Sequence, residues 1–242
     1  MTNLKQEGAH QPQGSQTRNT SSNAPGTPAS SEDPTLDIRK GLTACYEARV
    51  RRRFGTMRLT PELEQNLERV ADFLYHWFGQ RNHRHRGLML IGGNGNGKTT
   101  MLGAIGDYMG EVLDTARPYT SNPSARPVFW KARDIARESA ACQGDFDEIK
   151  RSNVLMVDDF GAEPTEVVSY GMPTHPMEEV LDYRYDNMLP TFLSSNLTLP
   201  RLFGYTDKAT GDHVDGKYSD PRVMDRAREM FEVVAFEGRS FR

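Results

Sequence analysis

The sequence has few cysteines and no strong excess of charge of either sign. Its 242 residues include only two cysteines, Cys45 and Cys142, and neither lies in a C-x-x-C pair. This spacing indicates neither a disulfide framework nor a zinc site, and it fits a reducing compartment. The formal net charge is −3, so composition alone does not indicate a nucleic-acid-binding protein.

Long apolar runs are also missing. No run approaches the length of about 20 residues that a helix needs to cross a bilayer, and the N-terminus lacks the apolar core of a secretory signal. We therefore expect a cytoplasmic protein with no part in a membrane. The length suits one sizeable core with a tail better than two domains.

Composition divides the chain into three parts. Residues 1–34 are rich in Gln, Ser, Thr, Asn, Gly and Pro and contain no aromatic residue, which predicts a disordered polar tail. Residues 35–59 are predicted to form a basic helical segment that ends in the arginine cluster at 49–53. Residues 60–242 follow as the predicted main domain.

Within the main domain, strand-like and helical segments alternate. The strand-like runs are LMLIGG, RPVFWKA, NVLMVDDFG, PTFLSSN and EVVAFEG, and helical patterns lie between them. The third run is apolar on both faces, as expected of a strand buried in a parallel sheet. This alternation predicts a three-layer α/β fold, with five parallel strands and helices on both faces of the sheet.

A glycine-rich stretch follows the first strand-like run and opens a helix. It fits the pattern G-x-x-x-x-G-K-[ST] with Gly92, Gly93, Asn94, Gly95, Asn96, Gly97, Lys98 and Thr99, and Thr100 comes next. Glycines let successive backbone N–H groups point at one anion, and the helix N-terminus adds a favourable dipole. The lysine can reach the outer phosphates of a nucleotide, and the Thr99 hydroxyl can bind Mg²⁺. A plain glycine-rich turn is the alternative interpretation.

Two aspartates, Asp158 and Asp159, end the third strand-like run. They would lie at the carboxyl edge of the sheet, where ligands bind in open α/β folds. We expect Asp158 to hold Mg²⁺ through water and Asp159 to orient or deprotonate the attacking water. Together with the glycine-rich loop, they predict binding and hydrolysis of ATP with Mg²⁺ as cofactor.

Hydrolysis also needs polar or cationic groups around the transferred phosphoryl group. Asn196 follows the fourth strand-like run, where it could position the water or simply begin a turn. Arg222, Arg226 and Arg228 lie on a later helical segment. They could act on the ATP of a neighbouring subunit, or they could form a solvated basic face.

These motifs resemble the AAA+ ATPases of the DnaC/DnaI helicase-loader and IstB transposition-helper group. The resemblance covers roughly residues 60–242 and is carried by three stretches, DDFGAE, DYRYDNMLPTFLSSNL and RVMDRAREMFEVVAFEGRSFR. It implies a P-loop NTPase of the AAA+ (ASCE) type with a minimal lid.

The resemblance also implies roles for single residues. Asn196 is similar to the polar residue called sensor I, and Arg242 to the sensor II arginine. Arg226 is similar to the arginine finger, with Arg222 as the alternative. Glu163 falls on the third acidic position of the group, where a structural role and a nucleotide-coupled role both stay open.

Partners are implied in the same way. A helicase loader would act in DNA replication with a replicative helicase and single-stranded DNA as partners, and a trans arginine implies homo-oligomers that depend on ATP or DNA. One alternative is a transposition helper that binds duplex DNA and serves a transposase. Another is a nucleotide-gated scaffold with incidental turnover. Candidate DNA contacts are the arginines at 49–53 and the RNHRHR stretch at 81–86, with ordinary solvated charge as the alternative.

Overall fold

This computed structural model describes residues 34–79, 86–116, 126–141 and 145–236. Helices and strands alternate along these ranges. The helices are α1 (Pro34–Phe54), α2 (Pro61–Gly79), α3 (Lys98–Ala116), α4 (Ala132–Ala141), α5 (Asp145–Arg151), α6 (Pro176–Asp186), α7 (Leu199–Phe203) and α8 (Pro221–Met230). The strands are β1 (Gly87–Gly92), β2 (Val128–Lys131), β3 (Leu155–Asp158), β4 (Val167–Ser169), β5 (Met172–Thr174), β6 (Thr191–Ser195), β7 (Tyr205–Thr206), β8 (His213–Val214) and β9 (Phe231–Phe236).

Five strands form one parallel sheet in the order β2-β3-β6-β1-β9. They correspond to the five strand-like runs of the sequence, so the predicted α/β fold with a five-stranded parallel sheet is confirmed. The strand that precedes the glycine-rich loop lies between β6 and β9, and β3 lies on the other side of β6. This order brings the carboxyl ends of β1, β3 and β6 to neighbouring positions on one edge of the sheet.

Alternate residues of the central strands enter two separate hydrophobic cores, which is the pattern of a sheet covered on both faces. Leu88 and Leu90 of β1 pack with α1, α2 and α3, while Met89 packs on the opposite side with α4, α6 and α8. In β6, Phe192 and Leu193 divide between the two cores in the same way. The molecule therefore has the three predicted layers, with the sheet in the middle.

The two N-terminal helices complete the first of these cores. The backbone N–H of Leu63 donates to the Thr60 hydroxyl at 3.3 Å, which caps the start of α2. Helix α1 buries Leu42, Cys45 and Tyr46 in the core that α2 and α3 share. This part of the predicted basic segment thus packs directly against the helix that follows the glycine-rich loop.

Two short antiparallel hairpins, β4–β5 and β7–β8, were not predicted from the sequence. The first lies between β3 and α6, and the second lies in the polar segment that precedes α8. Within the described ranges, no helix combines the length and the apolar character that a membrane span requires. The same ranges contain no group of three or more His, Cys, Asp or Glu side chains suited to a metal ion.

Several sequence expectations concern residues outside the described ranges. They are the disordered tail, of which only Pro34 is described, together with Cys142, positions 81–85 of the basic RNHRHR stretch and Arg242.

Candidate nucleotide-binding site

The glycine-rich loop connects β1 to α3 and is anchored to the neighbouring strand β9. Gly92, Gly95 and Gly97 have φ angles of 151°, 84° and 86°, a region that residues with a side chain seldom adopt. A Cβ atom on Gly92 would lie 2.3 Å from the backbone oxygen of Phe236. The Asn96 side-chain amide donates to that same oxygen at 2.9 Å. Both the glycines and the buried asparagine are therefore needed to hold the loop in place.

Lys98 begins α3 and points back into the loop. Its ammonium group donates to the carbonyl oxygens of Gly92 at 2.8 Å and Gly93 at 2.6 Å. The residue is only 4% exposed, and this burial lowers the pKa of Lys98, while the nearby carboxylates of Asp159 and Asp158 act to raise it. The lysine is thus a buried cation held by neutral acceptors, which a phosphate group could replace.

The loop meets the end of β3 through the Thr99 side chain. The Thr99 hydroxyl donates to Oδ1 of Asp158 at 2.8 Å, and the Ser194 hydroxyl on β6 donates to the same carboxylate oxygen. Asp158 is 2% exposed. Hydroxyl and carboxylate oxygens are the ligand types that Mg²⁺ prefers, so this donor set fits the predicted cofactor.

Asp159 and Asn196 are brought together as the sequence suggested. Asp159 has φ 58°, which is uncommon for a residue other than glycine, and its backbone N–H donates to the Ser194 hydroxyl at 3.2 Å. The Asn196 side-chain amide donates to Oδ1 of Asp159 at 2.9 Å. The unusual backbone angle therefore turns the second aspartate toward the polar residue that ends the adjacent strand.

Glu163 is buried, and one of its two hydrogen-bond partners comes from a distant part of the chain. Its carboxylate accepts from the backbone N–H of Gly161 at 2.8 Å and from the Tyr218 hydroxyl. Burial raises the pKa of Glu163. Sequence reasoning missed Tyr218 because it lies 55 residues further on in a polar segment. Its aromatic character within that segment is the only signal the sequence offers.

The two arginines considered as the finger have different surroundings on α8. Arg226 forms an ion pair with Asp182 and a longer one with Asp186 at 3.6 Å, and its guanidinium lies 5.2 Å from the centre of the Tyr185 ring. The Arg222 side chain is 82% exposed and pairs with Asp220 at 3.0 Å. Arg226 is thus bound to α6 of its own chain, and Arg222 extends into solvent.

The arginine cluster proposed to contact DNA is partly engaged within the chain. Arg49 binds the Asp107 carboxylate on α3 through two hydrogen bonds, one of them 2.7 Å long. Arg51 pairs with Glu47 at 2.7 Å. Exposed cationic side chains remain at positions 52 and 53 of this cluster.

Several solved structures that are similar to this chain are of replication proteins. The DnaC helicase loader is 18% identical with a TM-score of 0.48, and the match covers 76% of this chain and 95% of that one. AMPPCP-bound DnaA from Aquifex aeolicus is 15% identical with a TM-score of 0.43, covering 72% of this chain and 47% of the other. Domain III of the Thermotoga maritima replication initiation protein DnaA is 18% identical with a TM-score of 0.42, covering 69% and 62%.

No protein-family model and no curated protein sequence matches this chain. The likeness to these solved structures is one of fold, and the chemistry of the site follows from the residues described above. A DnaC helicase loader is among the solved structures to which this chain is similar.

Proposed function

We propose that this protein is an ATPase of the AAA+ type that uses Mg²⁺. The observation that carries the proposal is the contact between Thr99 and Asp158, whose side-chain oxygens lie 2.8 Å apart. It joins a phosphate-binding loop to the acidic end of a buried strand, which is the pairing that P-loop ATPases need. A glycine-rich turn that bound no nucleotide would not be expected to contact a buried carboxylate.

The loop residues would bind the phosphates of ATP. Backbone N–H groups of the loop and the N-terminus of α3 favour an anion at this position. Lys98 would exchange the carbonyl oxygens of Gly92 and Gly93 for phosphate oxygens. This exchange replaces neutral acceptors with charged ones around a buried cation, so it strengthens the hydrogen bonds of Lys98.

Side chains at the ends of β3 and β6 would serve the hydrolytic step. Thr99 and Asp158 would hold Mg²⁺, which when bound neutralises negative charge on the phosphate oxygens. Asp159 would accept a proton from the attacking water or orient it. Asn196 donates to Oδ1 of Asp159, which fixes the direction of that carboxylate.

An arginine from a neighbouring subunit would complete the site. Arg226 would have to leave Asp182 and Asp186 to reach a neighbour, whereas Arg222 would leave only Asp220. Activity is therefore expected to depend on assembly. The Arg226→Ala variant should keep its ATP affinity and lose most of its hydrolysis, and the same result with Arg222→Ala instead would assign the finger to Arg222.

For the biological role, we infer a helicase loader in DNA replication. The inference is supported by the DDFGAE, RVMDR and SFR motifs and by the exposed arginines at positions 52 and 53. A loader that works on opened DNA should respond to single strands.

The test measures ATPase rate with added single-stranded and double-stranded DNA, using Lys98→Ala as the blank. Stimulation by single strands supports the loader and justifies a binding assay with a replicative helicase. A preference for duplex would instead favour a transposition helper. A rate near the blank under all conditions would contradict the ATPase and favour a nucleotide-gated scaffold.

A further inference from the structure

A group of side chains, buried except for the partly buried Lys217, joins the turn after Asp159 to the segment that leads into α8. It consists of Phe160, Glu163, Lys217 and Tyr218, which we call the Glu163 cluster. The Glu163 carboxylate accepts from the Tyr218 hydroxyl, and Lys217 Nζ donates to the backbone oxygens of Glu163 and, at 2.8 Å, of Gly161. Two segments far apart in the chain are therefore connected by several hydrogen bonds at one place.

Aromatic packing reinforces these hydrogen bonds. The rings of Phe160 and Tyr218 are stacked, with their centres 4.9 Å apart and an angle of 11° between their planes. Both residues are 1% exposed. Close-packed interiors shift between discrete arrangements and do not deform smoothly, so a displacement of one ring must be taken up by the other.

At one end, the cluster is fixed to the residues that face the nucleotide. Phe160 directly follows Asp159. Its backbone N–H donates to the backbone oxygen of Ser194 at 2.8 Å, and its backbone oxygen accepts from the Ser195 hydroxyl at 2.6 Å. Gly161 has φ 93°, and a Cβ atom there would lie 2.8 Å from a methyl carbon of Leu197. The turn therefore has little free space and would transmit a movement of Asp159.

At the other end, the cluster leads into the arginine helix. Tyr218 lies two residues before Asp220, whose carboxylate accepts from the backbone N–H of Arg222 at 2.8 Å and caps α8. The backbone N–H of Tyr218 also donates to the Leu202 oxygen at 2.7 Å. The chain thus enters α8, which carries Arg222 and Arg226, shortly after a tyrosine that contacts the nucleotide-facing turn.

We propose that Glu163 and Tyr218 are positioning residues that connect the nucleotide-facing turn to α8 within one subunit. Nucleotide binding at a subunit's own site would thereby set the position of the arginine that this subunit presents to its neighbour. The proposal rests on the proposed function, because it assumes that the loop at Gly92–Thr99 binds nucleotide. It gives the acidic position 163 a coupling role in addition to a structural one.

The test follows backbone amide hydrogen exchange with and without a non-hydrolysable ATP analogue and Mg²⁺. The protein is kept at a concentration where light scattering shows monomers, so that contact with a neighbour cannot protect α8. Tyr218→Phe keeps the stacked ring and removes the hydroxyl donor, and Glu163→Gln is the second variant. Tyr205→Phe is the matched control, because it makes the same chemical change at an exposed position of the same segment.

In the wild-type protein, nucleotide should slow exchange both in the glycine-rich loop and in the first turns of α8. In Tyr218→Phe, protection of the loop should persist while the nucleotide-dependent slowing in α8 falls by about tenfold, the effect of one buried hydrogen bond to a charged group. Glu163→Gln keeps a side chain that can bond the Gly161 N–H and the Tyr218 hydroxyl, so its α8 response should fall less than that of Tyr218→Phe, and Tyr205→Phe should behave like the wild type.

Two results would overturn the proposal in different ways. Protection of the loop without any change in α8 of the wild-type protein, or an unchanged α8 response in Tyr218→Phe, would reject the connection and leave the nucleotide site intact. Absence of protection in the wild-type loop itself would reject the nucleotide site, and the connection with it.

Discussion

Replacing Lys98 with alanine should abolish ATP binding while leaving the free protein stable. The Lys98 ammonium is buried and makes its hydrogen bonds to two loop carbonyl oxygens, and burial disfavours its charge. The variant loses those hydrogen bonds and also loses the cost of burying a cation, so the two effects oppose each other. We expect the free energy of unfolding to change by no more than about 1 kcal/mol, or about 2–4 °C in Tm for a domain of this size.

The effect on ligand-induced stabilisation should be much larger. A ligand at one hundred times its Kd stabilises the folded state by about 2.7 kcal/mol. At about 2–4 °C for each kcal/mol, this corresponds to a rise in Tm of about 5–11 °C for the wild-type protein. Without the Lys98 ammonium to bind the outer phosphates, the variant should show almost none of this rise at the same concentration.

Thermal unfolding with and without the Mg²⁺ complex of a non-hydrolysable ATP analogue measures both quantities at once. Lys208→Ala is the control, because it removes the same charge from an exposed loop. A ligand-induced rise in Tm that is as large in Lys98→Ala as in the wild type would refute the assignment of the phosphate site. A decrease of more than about 3 kcal/mol in the free energy of unfolding of the nucleotide-free variant would show instead that Lys98 stabilises the loop. This would contradict the expectation that the cost of burying its charge offsets its hydrogen bonds.

Three further predictions concern other buried side chains. Asp158→Asn should bind ATP in EDTA like the wild type and lose the gain in affinity and rate that Mg²⁺ provides, as nucleotide titration and ATPase assays would show. Arg184→Met should lower the free energy of unfolding in urea by about 3 kcal/mol or more, because the fully buried guanidinium donates to three main-chain carbonyl oxygens; exposed Arg137→Met is the control and should change it little. Burial raises the pKa of Glu163 above the 4.5 of an unperturbed carboxyl, so protonation favours the folded state. The free energy of unfolding of the wild type, measured relative to that of Glu163→Gln, should therefore increase as pH falls from neutral toward 4.5. It should decrease as pH rises through the folded-state pKa of Glu163. A difference between the two proteins that stays constant across a pH series would contradict this.

The sequence predicts the central part of the site because each residue there has a local signature. Glycines at fixed spacing with Lys98 and Thr99 identify the loop, and polar residues at strand ends identify Asp158, Asp159 and Asn196. The topology of an open parallel sheet then places these strand ends on one edge. The contacts of Thr99 with Asp158 and of Asn196 with Asp159 agree with that reasoning.

Other features depend on tertiary packing and have no local signature. The ion pairs of Arg226 arise because α8 packs against α6, and nothing near Arg226 in the sequence points to Asp182. The pairing of Glu163 with Tyr218 likewise requires the polar segment to fold back onto the turn after β3. The hairpin β4–β5 is too short to show a clear alternation of apolar and polar residues, so periodicity alone does not reveal it.

The anchoring of the glycine-rich loop on β9 has a consequence for the order of events during protein synthesis. Asn96 and its acceptor on Phe236 are 140 residues apart, and β1 lies between two strands that are both made much later. Helices α1 and α2 and the loop therefore leave the ribosome well before the strands that hold the loop in shape. Because such long-range pairing forms slowly and late, a nascent chain should acquire the ability to bind nucleotide only after β9 has been synthesised and has joined the sheet.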